Sequence, residues 1–238
     1  MTATIPTKTS AEIIYPDSDG QPMSDNTKQF ELIVTIQGGI DALYKEDENI
    51  FVAGDLLWYP VEGDNKTRQA PDTMVVFGRP KGYRGSYQQW LEDNIAPQVV
   101  FEILSPGNRM GSLFKLFNFY QNYGVEEYYV YNPEDNELMG WLRSDGKLNY
   151  IELIDGWVSP RLQIRFQTAS GDLEIYRPDG KKFLSYVELS NQMESAQRQM
   201  ELTQQQMEQE RQEKELAQQK ADRLSDKLRE MGINPDQI

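Results

Sequence analysis

QVVFEILSPG (98–107) is the stretch whose reading decides the fold. Gln98–Leu104 predicts a strand with a near-continuous apolar run, as a strand buried on both faces carries. Ser105-Pro106-Gly107 breaks it. One residue interrupts the run. Glu102 sits among Val, Phe, Ile and Leu, where a carboxylate is costly to bury unless it is paired or metal-bound. At a sheet edge the same residue would simply point to water.

Upstream, Ala70-Pro71-Asp72 leads into a second strand, Thr73–Phe77 (TMVVF), and a lone Asp before a strand is ordinarily a turn or cap residue. Asn49–Pro60 (NIFVAGDLLWYP) reads as a preceding strand that contains Asp55. A polar, aromatic loop, GRPKGYRGSYQQWLEDNIAP (78–97), separates the second and third strands. Residues 25–47 predict a helix capped by Asp25 or Asn26. Phe30, Ile33, Val34, Ile40 and Leu43 stand near helical spacing, and Gly38-Gly39 weakens the middle. Residues 1–24 are irregular, punctuated by Pro6, Pro16, Gly20 and Pro22.

Downstream, residues 109–123 predict a helix whose apolar stripe is Leu113, Leu116, Phe117 and Tyr120. Residues 127–131 predict another buried strand, closed by Asn132-Pro133. Four short strands follow, at 137–143, 148–154, 161–167 and 172–178, separated by turns such as SDGK and ASGD, which is the pattern of a β-meander. This order predicts an α/β fold, a mixed sheet with helices and an antiparallel annex.

Residues 184–231 change character. They hold neither Gly nor Pro, and ten glutamines. Tyr186, Met193, Met200, Met207, Lys214, Ala221 and Leu228 repeat every seven residues. So do Leu189, Ala196, Thr203, Glu210, Ala217, Leu224 and Met231. Paired stripes of this kind are the coiled-coil signal, here weakened at its centre by Thr203, Glu210 and Lys214. A solitary charged helix is the plainer alternative. The expected organisation is a domain over 1–183 and a coiled-coil helix and tail over 184–238, with the helix as the contact of a homo-oligomer.

Composition narrows the chemistry. Neither cysteine nor histidine occurs. Disulfides, thiolate zinc sites, cysteine nucleophiles and histidine bases are therefore excluded, and carboxylates remain as metal ligands. Residues 1–20 hold no apolar run long enough for a signal peptide, and no apolar run could span a membrane, so the cytoplasm is the expected compartment. The net charge is −14. Residues 1–183 carry 17 basic and 27 acidic residues, a net of −10. Phosphate contacts need positive charge, so a DNA partner would require a local basic groove or a bound cation.

Two acidic residues about thirty positions apart, one opening a strand and one inside the next, stand side by side if the strands pair. Two such hard oxygen ligands suit magnesium or manganese. A lysine nearby, such as Lys115 on the following helix, could stabilise charge developing on a phosphate. A helical lysine is more often merely solvated.

These residues carry a resemblance. YPDSDGQPMSDN (15–26), VAGDLLWYPVEG (52–63), APDTMVVFGRPKG (70–82), FEILSPGNR (101–109), FYQNYGVEEYYVYNP (119–133) and GWVSPRLQIRF (156–166) resemble one large bacterial family, expanded in cyanobacteria. Its members are restriction-endonuclease-like proteins with the PD-(D/E)XK nuclease fold. The resemblance spans roughly residues 15–188. It implies a metal-dependent DNA endonuclease, with Asp72 and Glu102 as Mg2+ (or Mn2+) ligands and DNA as partner. Asp55 is a weaker third carboxylate. The family's lysine comes from the helix after the glutamate strand, and its pattern places an acid at 112 and the lysine at 116. Here Ser112 and Leu116 stand there, and Lys115 is displaced by about 100° round the helix. The alternative is a degenerate nuclease domain acting as an oligomerising binding or assembly protein. A carbohydrate or small-molecule binder built on Tyr83, Tyr87 and Trp90 is a third reading.

Overall fold

The computed structural model describes residues 13–18, 20, 26–107 and 110–232. The chain divides into two compact units, Met1–Ser185 and Tyr186–Ile238. Among the described residues, no helix is long and apolar enough to cross a membrane.

The first unit opens with α1 (Thr27–Leu43), whose N-cap is Asn26. Its side chain accepts a hydrogen bond from the Gln29 amide at 2.9 Å, satisfying one orphan donor of the first turn. Asp25 lies outside the described residues. Ile33, Ile36 and Ile40 face the sheet and are almost fully buried, each contributing about 1.5–3 kcal/mol. Gly39 has a packing reason: a Cβ there would sit 2.4 Å from the ring of buried Phe183.

Among the described residues ten strands follow, from β1 (Ile50–Ala53) and β2 (Trp58–Tyr59) to β3 (Thr73–Phe77), β4 (Tyr87–Gln88) and β5 (Val99–Ile103). After α2 (Met110–Asn122) come β6 (Glu127–Asn132), β7 (Glu137–Ser144), β8 (Lys147–Tyr150), β9 (Arg165–Gln167) and β10 (Glu174–Tyr176). Six of them form one mixed sheet, ordered β1-β3-β5-β6-β7-β8. Within this sheet, among the described residues, only β5 and β6 pair in parallel, as they must when α2 carries the chain back between them. One core lies on the α1 face and includes Val75, Phe101, Tyr129 and Phe166. The other lies on the α2 face and includes Met74, Val100, Tyr120 and Tyr128.

Two sequence expectations are corrected. The run 49–60 is not one strand. Asp55 takes φ +49, a left-handed conformation that ends β1, and Trp58–Tyr59 pairs instead with β4. Nor do the last four strands form a single meander. β7 and β8 extend the main sheet, while β9 and β10 pair apart as their own ribbon.

The second unit is α3 (Tyr186–Glu230), 45 residues with none buried, about 70 Å long at 1.5 Å per residue.

Candidate active site

Strand register builds the site. Thr73 pairs with Phe101 across the antiparallel β3–β5 ladder, and one further step sets Asp72 opposite Glu102. On the other side of β3, Ala53 pairs with Met74, and the same register continued sets Asp55 opposite Asp72. The Asp55 amide donates to the Pro71 carbonyl at 3.0 Å. Side chains alternate along a strand, and Met74 and Val100 lie in the α2-side core. Asp72 and Glu102 therefore project toward the same face as Tyr120.

Each carboxylate is held differently. Asp72 Oδ2 accepts the Ile103 amide at 2.6 Å, a ladder donor left over where β3 stops. Pro71, having no N–H, cannot extend the pairing. Glu102 is buried, and its Oε1 accepts the hydroxyl of fully buried Tyr120 from α2. Burial first, and then the charge of Asp72, push the Glu102 carboxyl well above the usual carboxylate range. The Tyr120 hydrogen bond opposes this and the Asp55 charge adds to it.

Beside the pair stands Tyr128 of β6, its ring 4.9 Å from that of Tyr120. Its hydroxyl is buried with no hydrogen-bond partner among the described residues. Burial, then the charges of Glu102 and Asp72, push its ionisation far upward. Two facing carboxylates and an unpartnered hydroxyl fit a hard, hydrated cation, because magnesium is ordinarily held by one or two carboxylates and keeps several waters. Among the described residues, no three acidic side chains converge into a metal-holding group. Asp55 bears on Glu102 through its charge.

Lys115 is exposed on α2 and stands about 140° round the helix from Tyr120. Leu116, about 40° from Tyr120, is half-buried against the α2-side core. Ser112 is exposed. In the 78–97 loop, Glu92 is clamped by Arg79 at 2.8 Å and Arg84 at 2.6 Å. Tyr87 is buried against Phe51, and Trp90 packs on Tyr15. Only Tyr83 of the three aromatics lies exposed, so the loop offers no stacking platform for a sugar.

Sequence reasoning took Tyr120 for a member of an apolar stripe and passed over Tyr128. The available signal was their hydroxyls in FYQNYGVEEYY, which an apolar face does not require. It also passed over Glu127, which is buried on the α1 side of β6. Glu127 accepts hydrogen bonds from the Ser159 hydroxyl, the Tyr129 hydroxyl at 2.9 Å and the Arg161 amide at 2.6 Å.

A mixed sheet that sets two acidic residues opposite each other on adjacent strands is the arrangement of a restriction-endonuclease-like fold. The family model described as "Uma2: Putative restriction endonuclease" matches residues 20–162. The chain belongs to that family. Among solved structures, it is similar to one titled as a "putative nuclease belonging to DUF820" from Anabaena variabilis ATCC 29413. The identity is 16% and the TM-score 0.43, over 57% of this chain and 72% of that one. No curated protein matches this chain.

Proposed function

We propose that the first unit is a metal-dependent endonuclease that hydrolyses DNA phosphodiester bonds in the cytoplasm. Asp72 and Glu102 would hold Mg2+ or Mn2+. The observation that carries this reading is the opposition of these two residues at the ends of β3 and β5, with Glu102 buried beside a second negative charge. Such an arrangement disfavours the empty site and favours a cation. When bound, the cation supplies polarisation of a phosphoryl oxygen and acidification of a water. The chain's own groups do the positioning. The Ile103 amide fixes Asp72, and the Tyr120 hydroxyl fixes Glu102. Lys115 is the candidate for phosphate charge, its flexible stem giving it reach from an exposed position.

One observation favours a second reading. Leu116 packs against the α2-side core about 40° round the helix from Tyr120, and Lys115 is turned away by about 140°. A domain that binds metal without cleaving would follow. Supercoiled DNA incubated with the protein and manganese separates the two. Nicking or linearisation lost in Lys115→Ala supports the enzyme with Lys115 in the catalytic role. Metal binding without cleavage supports the degenerate domain. An absence of any metal-dependent thermal stabilisation at millimolar Mg2+ and Mn2+ would overturn the enzyme reading.

The proposal includes self-association through residues 184–231. It is supported by a helix of 45 residues with none buried that carries exposed Met193, Met200 and Met207 at heptad spacing. Deleting the chain after residue 190 should lower the particle mass in sedimentation by more than the deletion itself.

A further inference from the structure

The two halves of α3 are unlike. Its seam is bulky toward the N-terminus, where Tyr186, Leu189, Met193, Met200 and Met207 are all exposed. It is thin further on, where Ala217 and Ala221 occupy the same stripes. Between these halves the seam carries Glu210 and Lys214. Charge is also uneven along the helix. Residues 186–207 hold Glu188, Glu194, Glu201 and Arg198, a net of −2. Residues 216–229 hold Lys220, Arg223, Lys227 and Arg229 against Asp222 and Asp226, a net of +2.

From this asymmetry we infer that α3 pairs with α3 of a second copy of the chain in antiparallel orientation. This rests on the self-association proposed above. In a parallel, in-register pair each seam residue faces itself. Glu210 would oppose Glu210, Lys214 would oppose Lys214, and Ala217 and Ala221 would each oppose an alanine. That leaves four successive layers without a bulky apolar contact, two of them with like charges opposed. Reversing one helix removes the self-oppositions. Stripe residues of one kind then face those of the other kind, so that Met200 stands against Ala217 or, one heptad along, against Leu224. The acidic 186–207 segment of each helix then runs toward the basic 216–229 segment of its partner. The helix dipoles oppose favourably as well.

The occupant of the stripe is a second copy, not an acidic or basic partner, because the helix supplies both halves of the complementarity itself. Absence of cysteine from the chain makes the orientation directly measurable in the full-length protein. Met200→Cys, Ala217→Cys and Leu224→Cys are made singly, checked for helicity by circular dichroism, and oxidised with a glutathione buffer. Met200→Cys alone should remain uncross-linked. An equimolar mixture with Ala217→Cys or with Leu224→Cys should yield a covalent dimer in at least tenfold excess over either variant alone. Efficient cross-linking of Met200→Cys with itself would overturn the orientation and leave self-association standing. A wild-type protein that sediments as a monomer would overturn both. A dimer in which no seam cysteine cross-links would place the contact off this stripe and overturn the inference.

Discussion

Glu102 and Glu127 are both buried, both lie in central strands of one sheet, and both have carboxyls pushed above their ordinary range chiefly by burial. They differ in what surrounds them. Glu127 is met by three donors, and the charge of Arg161 further favours its ionised form. Among the described residues, Glu102 is met by one donor, Tyr120, and faces the charges of Asp72 and Asp55. The first arrangement is complete in itself and ties β6 to the 156–163 segment. The second sets a buried carboxyl beside two further acidic residues. Burial of a carboxylate alone therefore does not separate the proposed site from a structural one. The acidic neighbours of Glu102 do.

The largest expected effect breaks the two apart by activity. Asp72→Asn and Glu102→Gln should each lower metal-dependent DNA cleavage by about 1000-fold or more, roughly 4 kcal/mol of barrier. Glu127→Gln, assayed below its melting temperature, should cleave within a few-fold of wild type. Equal losses in all three, measured as nicking rates on one plasmid, would erase the distinction.

Metal response is the next test. A cation at about 100 times its Kd stabilises the native state by about 2.7 kcal/mol, a rise of roughly 5–10 °C in Tm for a domain of this size. Wild type and Glu127→Gln should both show it. Asp72→Asn and Glu102→Gln should not, because each halves the ligand set. A rise retained in Glu102→Gln would remove that residue from the metal.

Stability without metal should invert the order. Glu127→Gln leaves one acceptor oxygen where Oε1 and Oε2 serve three donors, and an unsatisfied buried donor costs about 1–3 kcal/mol. Glu102→Gln removes a charge facing like charges and should be neutral or stabilising. The pH dependence follows from the raised Glu127 carboxyl. The folded protein holds that proton to higher pH than the unfolded chain does. The resulting stability is present below the ordinary glutamate pKa and is lost as pH rises through the folded value. The stability gap between wild type and Glu127→Gln should therefore narrow from about pH 4 toward neutrality, as read from urea unfolding.

The sequence was legible where a local rule decided the structure. Thr73–Phe77 is apolar between turn residues, and Glu102 announces itself as a charge inside an apolar run. It was silent where partners are distant. Glu127 opens a strand like any exposed glutamate, and its donors Ser159 and Arg161 lie 32 and 34 residues away. The break at Asp55 depends on a left-handed backbone that the alternation across 49–60 conceals. The separation of the β9–β10 ribbon is a matter of pairing, which periodicity alone does not encode.

The smallest effect belongs to two neighbouring tyrosines of β6 that point to opposite faces. Tyr129 donates to Glu127 and accepts the Trp157 indole N–H at 3.2 Å. Tyr129→Phe should cost about 1 kcal/mol, the net worth of a hydrogen bond of this kind. Tyr128 buries a hydroxyl that no described group satisfies, so Tyr128→Phe deletes a desolvated polar atom and fills the same volume. Without metal it should be neutral or stabilising by up to about 1 kcal/mol. With metal the sign should reverse. If the hydroxyl serves a water on a cation held by Asp72 and Glu102, the phenylalanine variant should bind Mn2+ several-fold more weakly, as measured by titration calorimetry. A Tyr128→Phe protein that is destabilised without metal, or that binds manganese as wild type does, would show that the hydroxyl belongs to the packing and not to the site.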